Sequence, residues 1–465
     1  MLRKPGFLIA VVATLILANT DRVSAQSDRV DSCIAAQMSI RHIPGLALAV
    51  IRDGVPVKVK GYGLANVELN VPVSPQTIFQ SASIGKQFTA TLVMLLVEQG
   101  KINLDAPITT YLPNSPAAWG TITARHLLTH TSGIVDHAGD SLAVNFRLDY
   151  TEDQLLEKIR QMPLAFQPGE KWAYSNSGYV LLGILIHKVS GQFHGDLLQR
   201  YIFDPLSMGT ARIISEADII PNRAAGYRLE NGEWKNQDWV SPTLNKSAAG
   251  ALYLTVLDLI KWDSALYSGR ILSKASYDQI WSPVRLATDS LQPYGFGWFL
   301  SPVNGRKAVY HPGGWQGFNN YIARYTDDKL TVILLSNLSP DNPGKIAQAV
   351  AAIYVPALAE RVPHNMPDRD PSFKPVVESL FGKPDTFNLD LFTRDYRQKG
   401  NSNLKSNQSL LNIFGPVQSI EMVGYDSDKN GTTLLYRVRY KAGSRIVTIT
   451  RAKSGEISIF SSSTE

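Results

Sequence analysis

Strand-like segments stand at the two ends of a long region and leave a helical interior between them, and this restricts the fold more than any other feature of the chain. Gly45 to Ile51 is a continuous apolar run, and Asp53-Gly54 marks a tight turn. Val55, Val57 and Val59 then alternate with Pro56, Lys58 and Lys60, so the segment predicts a β-hairpin. From Ser83 to about Tyr267 helical and loop patterns dominate, including Tyr179 to Val189, whose apolar spacing predicts a packed helix beginning just after Asn176 and Gly178. Strand patterns return at Tyr294 to Leu300, Ala308 to Tyr310, Tyr321 to Tyr325 and Leu330 to Leu335, the last two joined across Asp327-Asp328. Pro343 opens a helix through Tyr354. Early and late strands close most simply into one sheet around an inserted helical part. The expected class is α+β: an antiparallel sheet flanked by helices, a helical subdomain, and a cleft between sheet and helices.

Beyond a proline- and charge-rich linker at Val362 to Pro375, the pattern changes. Phe373 to Phe381 and Leu389 to Gln398 suit short helices, and Ile420 to Tyr425, Thr433 to Tyr440, Arg445 to Thr450 and Glu456 to Phe460 suit a strand meander with turns at Asn430-Gly431, Gly443-Ser444 and Ser454-Gly455. The expected division is a signal segment at 1–25, a main domain at 26–365 and a small α+β domain at 366–465. At the start, Arg3 and Lys4 precede an apolar run from Phe7 to Ala18, and Val23-Ser24-Ala25 precedes Gln26, which predicts export with cleavage after Ala25. The competing reading, an uncleaved anchor, needs a longer apolar run. Cys33 is the single cysteine, so an exported chain of this kind must rely on a large core instead of internal disulfides. Net charge is +6, but the basic residues are scattered without a dense run or aromatic-interleaved patch, which argues against nucleic acid and leaves attraction to an anionic cell envelope open. Oligomeric state is likewise left open.

Ser83-Ile84-Gly85-Lys86 precedes the apolar stretch Phe88 to Val97. Residues three apart share a helix face, so hydroxyl and amine can meet. A serine needs a base, and a lysine serves only if desolvation or nearby charge lowers its pKa from about 10.4. About two Ser-x-x-Lys matches arise by chance in a chain this long. Ser402-Asn403-Leu404-Lys405 is such a match, in a polar stretch with no apolar run to bury its lysine. Tyr174-Ser175-Asn176 is the only Tyr-x-Asn among nineteen tyrosines, and it can present a phenol for proton transfer and an amide to hold Lys86 or a substrate carbonyl. An ordinary loop tyrosine followed by a helix cap is the plainer alternative. His311-Pro312-Gly313-Gly314 falls at the end of a strand candidate, where glycines let a substrate approach the backbone; His137-Ala138-Gly139 has the same outline. His126 and His130 have helical metal-ligand spacing but lack a third ligand, which favours a structural role and no metal.

Together Ser83-x-x-Lys86, Tyr174-x-Asn176 and His311-x-Gly313 resemble, in order, the three signature elements of the serine β-lactamase and penicillin-binding D-alanyl-D-alanine peptidase superfamily, in its class C type. Leu127-Leu128-Thr129-His130-Thr131-Ser132-Gly133-Ile134 and Pro168-Gly169-Glu170 are similar to that branch as well. The resemblance spans about Ser32 to Ala359, and the tail resembles small accessory domains of such hydrolases. It implies Ser83 as acyl-accepting nucleophile, Lys86 as base, Tyr174 as a phenol or phenolate in proton transfer, and Asn176 as holder of the substrate amide and Lys86. It also implies an oxyanion hole from the amides of Ser83 and Gly314, with His311 and Gly313 at the substrate-binding strand. One departure is His311-Pro312-Gly313 in place of Lys-Thr-Gly, similar to some D-peptidases and esterases. A neutral histidine there is a weaker clamp for a carboxylate than lysine. The implied activity is an exported, periplasmic or extracellular, cofactor-free serine hydrolase acting on small esters, amides or D-amino-acid peptides. The alternative is a catalytically weak protein that binds penicillin or peptidoglycan peptides.

Overall fold

The computed structural model describes residues 26, 28–138, 144–250, 252–339, 342–360, 364–382, 389–399, 417–427, 431–440 and 443–464. The expected signal segment at 1–25, the Ser402-to-Lys405 match, Gly139 and Asn430 lie outside the described residues. Packing divides the chain into one unit ending at Glu360 and a second from Arg361 to Glu465.

In the first unit, β1 (Gly45–Arg52) and β2 (Val55–Asn66) form the expected hairpin, with Asp53 and Gly54 at φ of 51° and 78° in the turn. With β3 (Val71–Pro72), β4 (Ala308–Trp315), β5 (Phe318–Tyr325) and β6 (Leu330–Ser336) they make an antiparallel sheet of order β4-β5-β6-β1-β2-β3. The early strand thus lies against the late one, Leu48 opposite Leu334. β1 reads as an unbroken apolar run because both of its faces are covered. Ala47, Ala49 and Ile51 enter the core shared with the helical layer, whereas Leu46, Leu48 and Val50 enter a second core beneath α5 (Pro343–Tyr354). Each fully buried Val, Leu or Ile there contributes about 1.5–3 kcal/mol.

The helical layer includes α1 (Lys86–Glu98), α2 (Ala124–Leu128), α3 (Asn176–Ser190) and α4 (Val256–Ser268). α3 begins at Asn176, earlier than the apolar spacing suggests, because the Ser175 hydroxyl caps it by accepting the Gly178 N–H. It ends at Gly191 in the left-handed region. Two strand expectations need correction. Tyr294 to Leu300 is a tight loop: Gly297 has φ of 76°, the Gly295 N–H donates to the Trp298 carbonyl, and the chain folds back so that Tyr294 bridges Phe299. In contrast, β4 does not stop at Tyr310 but continues through the His311-to-Gly314 motif to Trp315. A proline is tolerated there because β4 is the sheet edge, where one row of N–H groups has no strand partner.

The second unit contains α6 (Lys374–Gly382) and a four-stranded meander, β7 (Val417–Ser427), β8 (Gly431–Tyr440), β9 (Gly443–Ala452) and β10 (Ile457–Thr464), paired in chain order. Val377 and Leu380 pack with Leu434, Tyr436, Val447 and Ile449 in a core of its own. Among the described residues, no helix is long and apolar enough to cross a membrane.

Candidate active site

Ser83 sits in a 3-10 turn, Ala82–Gly85, that runs directly into α1. Ala82, just before it, has φ of 48°, a left-handed conformation that costs a non-glycine residue about 1–2 kcal/mol. The turn is wedged against β4. A Cβ added at Gly313 would stand 2.5 Å from the Ser81 carbonyl oxygen and 3.2 Å from the Ser83 nitrogen, so this position of the motif requires glycine for close approach.

Lys86, one turn on, is 0% exposed. Its Nζ lies 3.0 Å from Ser83 Oγ, 2.8 Å from Asn176 Oδ1 and 2.6 Å from the Ala249 carbonyl oxygen. Two of those partners can only accept, while the serine hydroxyl can also donate. A neutral amine therefore satisfies all three, donating two N–H bonds and accepting the Ser83 proton on its lone pair. Burial favours that form and lowers the Lys86 pKa to about 7, with the charge of Asp136 pulling in the opposite direction. Asp136 also sets the amide of Asn176. Asn176 Nδ2 and its backbone N–H donate to the two Asp136 oxygens at 2.9 and 3.1 Å, which turns Oδ1 toward Lys86.

Tyr174 stands across the amine, with Lys86 Nζ 4.9 Å from its ring centre and its hydroxyl hydrogen-bonded to Ser83. Burial pushes the phenol pKa well up, so near neutral pH it is the phenol, not the phenolate. The ring of His130 packs on it at 4.2 Å. Ser83, Asn176 and Gly314 face an open cleft with about 540 Å³ of empty space, walled by His137, Phe146, Leu244 and Trp315. Phe146 meets Trp315 edge-to-face at 5.5 Å. Strand parity fixes the Gly314 amide: the Tyr310 N–H points off the sheet edge to the Phe299 carbonyl, so the N–H four residues on points off the same edge.

The structure thus brings Ser83, Lys86, Tyr174, Asn176, Gly313 and Gly314 together. His311 is placed otherwise than a substrate-binding residue requires: it is 0% exposed, is absent from the cleft wall, and burial lowers its pKa to about 3. On β4 the His311 side chain shares the helical-layer face with Val309 and Trp315, where the rings of Phe299 and Tyr294 cover it. His126 and His130 do not converge on a metal, since His126 closes the capping box of α2 with Thr123 and His130 uses both ring nitrogens on Ser175 and Tyr294. Sequence reasoning missed Asp136, Tyr294 and the Ala249 carbonyl. None carries a local pattern, although Asp136 follows the Thr131-Ser132-Gly133 turn closely enough that the turn points to its neighbourhood.

Residues 30–355 match the family model described as Beta-lactamase. The chain is 33% identical over 343 residues to Penicillin-binding protein 4* of Bacillus subtilis (strain 168), covering 69% of this chain and 74% of that protein. It is 27% identical over 344 residues to D-aminopeptidase of Gluconobacter oxydans (strain 621H), covering 72% and 64%. In structure it is similar to the octameric penicillin-binding protein homologue from Pyrococcus abyssi, with a TM-score of 0.63, 25% identity and coverage of 94% and 96%. The fold is also that of D-amino acid amidase from Ochrobactrum anthropi SV3, with a TM-score of 0.61, 24% identity and coverage of 72% and 98%. More than half of the chain matches the family model, on a fold that serves serine hydrolases, and the chain belongs to the beta-lactamase family.

Proposed function

We propose that this protein is a class C-type serine hydrolase that opens esters, amides or D-amino-acid peptides through an acyl-Ser83 intermediate. The observation that carries this reading is Lys86, fully buried, tuned to a pKa of about 7 and 3.0 Å from a serine that faces an open cleft. Neutral Lys86 takes the Ser83 proton as Oγ bonds to the substrate carbonyl carbon, and the oxyanion formed is held by the amides of Ser83 and Gly314. Expulsion of the alcohol or amine breaks the old bond. The Tyr174 phenol gives the leaving group its proton and is reprotonated from Lys86. Water then repeats the sequence on the acyl-enzyme, with Lys86 as base, and returns free Ser83. Asn176 holds Lys86 and, with its position fixed by Asp136, borders the substrate amide. The relatives named D-aminopeptidase and D-amino acid amidase support amide and D-peptide substrates, and the Phe146, Leu244 and Trp315 walls suit an apolar side chain.

Wild type and Ser83→Ala are compared on a short-chain p-nitrophenyl ester and a D-amino-acid amide, with intact mass recorded after mixing. The expected result is turnover by the wild type, a transient acyl adduct on Ser83, and loss of at least about 10³-fold in the variant. Unchanged hydrolysis by Ser83→Ala would overturn the reading. We further propose export, with residues 1–25 removed. The amino terminus of protein recovered outside the cytoplasm should be Gln26, and a retained Met1 would refute cleavage.

A further inference from the structure

Behind Tyr174, a row of buried polar groups runs from the helical layer to the sheet. The Ser175 N–H donates to His130 Nδ1 at 3.1 Å, and His130 Nε2 lies 3.1 Å from the Tyr294 hydroxyl. That hydroxyl lies 3.0 Å from His311 Nε2, and His311 Nδ1 lies 2.6 Å from the Pro312 carbonyl oxygen. The two ends dictate every proton between them. A backbone N–H only donates and a carbonyl only accepts, so His130 Nδ1 is bare and His311 Nδ1 carries hydrogen. Burial holds both imidazoles neutral, with one proton each. His130 therefore donates from Nε2 to Tyr294, and Tyr294 donates to the bare Nε2 of His311. The Tyr179 hydroxyl gives its own proton to the Leu128 carbonyl at 3.0 Å and meets Tyr294 only as a competing acceptor, whereas the bare Nε2 of His311, 3.0 Å from Tyr294, has no other donor in the row and takes the proton. Each donor in the row has its acceptor.

The row begins at Ser175, between Tyr174 and Asn176, and ends at Pro312, next to Gly313-Gly314. We infer that Tyr294 is a positioning residue whose hydroxyl ties the Tyr174-to-Asn176 segment to the oxyanion segment of β4 and sets the spacing between the phenol and the Gly314 amide. This rests on the hydrolase reading above. It also assigns His311 a role unlike that of a cation at the same strand: both of its nitrogens are engaged in the row, so it offers no charge to a substrate carboxylate.

Tyr294→Phe keeps the ring that packs edge-to-face on Phe299 at 4.8 Å and removes only the hydroxyl. Two measurements test the assignment. In wild type, histidine nitrogen–proton correlation spectra, assigned with His130→Gln and His311→Asn, should show His130 as the Nε2–H tautomer and His311 as the Nδ1–H tautomer, both neutral at pH 6. In Tyr294→Phe, kcat for a p-nitrophenyl ester should fall about 10- to 100-fold with KM within about twofold, as a misplaced catalytic group predicts. A His311 protonated on Nε2, or cationic, overturns the row whatever the kinetics show. Correct tautomers with unchanged kcat overturn the positioning role and reduce Tyr294 to packing. Absence of Ser83-dependent turnover in wild type removes the hydrolase reading and the positioning role with it, while the tautomers still report on the row by themselves.

Discussion

Lys86 and Arg324 are both basic side chains in the interior of the same unit, at 0% and 1% exposure, and they are treated in opposite ways. Arg324, on β5, is paired. Its Nε donates to Asp263 of α4 at 2.7 Å, Thr331 donates to the same carboxylate oxygen at 3.0 Å, and the guanidinium stacks over Tyr267 at 4.2 Å. Lys86 is denied a direct carboxylate. Its partners are a hydroxyl, an amide and a carbonyl, and the nearest acid, Asp136, reaches it through Asn176. A planar, always-charged group neutralised at contact makes a fixed joint between helix and sheet. An amine desolvated among neutral dipoles stays titratable, as a base must. The two sites differ less in burial than in where the counter-charge is put.

The sharpest way to break this comparison is to remove each basic side chain in turn. Lys86→Met should lower turnover by about 10³-fold or more, the largest effect expected, while raising thermal stability. The folded-state pKa lies near 7, below the free value of 10.5, so the unfolded chain binds more protons between these limits and Lys86 penalises the fold fully below pH 7. The stability gain should therefore be greatest at or below pH 7 and fade toward pH 10.5, as melting across that range would report. Arg324→Met should do the reverse. It strands the buried Asp263 carboxylate and costs about 3–5 kcal/mol of stability, with kcat of the folded fraction near wild type; a second change, Asp263→Leu, should recover much of the loss. A stable Arg324→Met with impaired kcat would collapse the distinction.

Much of this architecture was legible because its signals are local. The apolar run of β1, the Asp53-Gly54 turn and the Pro343 start of α5 each sit within a few residues of the structure they specify. Ser83 and Lys86 share one turn, and Tyr174 and Asn176 one short segment, so their spacing alone proposes that they meet. What stayed hidden is long-range. Tyr294 meets His130 across 164 residues, and Asp136 meets Asn176 across 40, with no pattern at either end. His311 misled for a related reason: its neighbours Pro312, Gly313 and Gly314 do not favour strand by propensity, yet β5 pairing carries the strand through them and turns the imidazole inward.

Asp136 gives the finest test of the contrast, because it acts on Lys86 by charge at a distance and on Asn176 by contact. Asp136→Asn removes the negative charge that favours protonated Lys86, so the lysine pKa must fall below about 7. Since the neutral amine is the active form, the acid limb of kcat/KM must shift to lower pH. On the plateau, a less securely held Asn176 should reduce kcat by about tenfold or less. Among the described residues, His137 can imitate this, since its Nδ1 lies 3.7 Å from Asp136 and burial lowers its own pKa. His137→Gln separates the two: the limb stays near pH 7 if Lys86 titrates there and vanishes if His137 does. A limb that stays in place in Asp136→Asn would mean that the counter-charge does not reach Lys86, and that the lysine is tuned by burial alone.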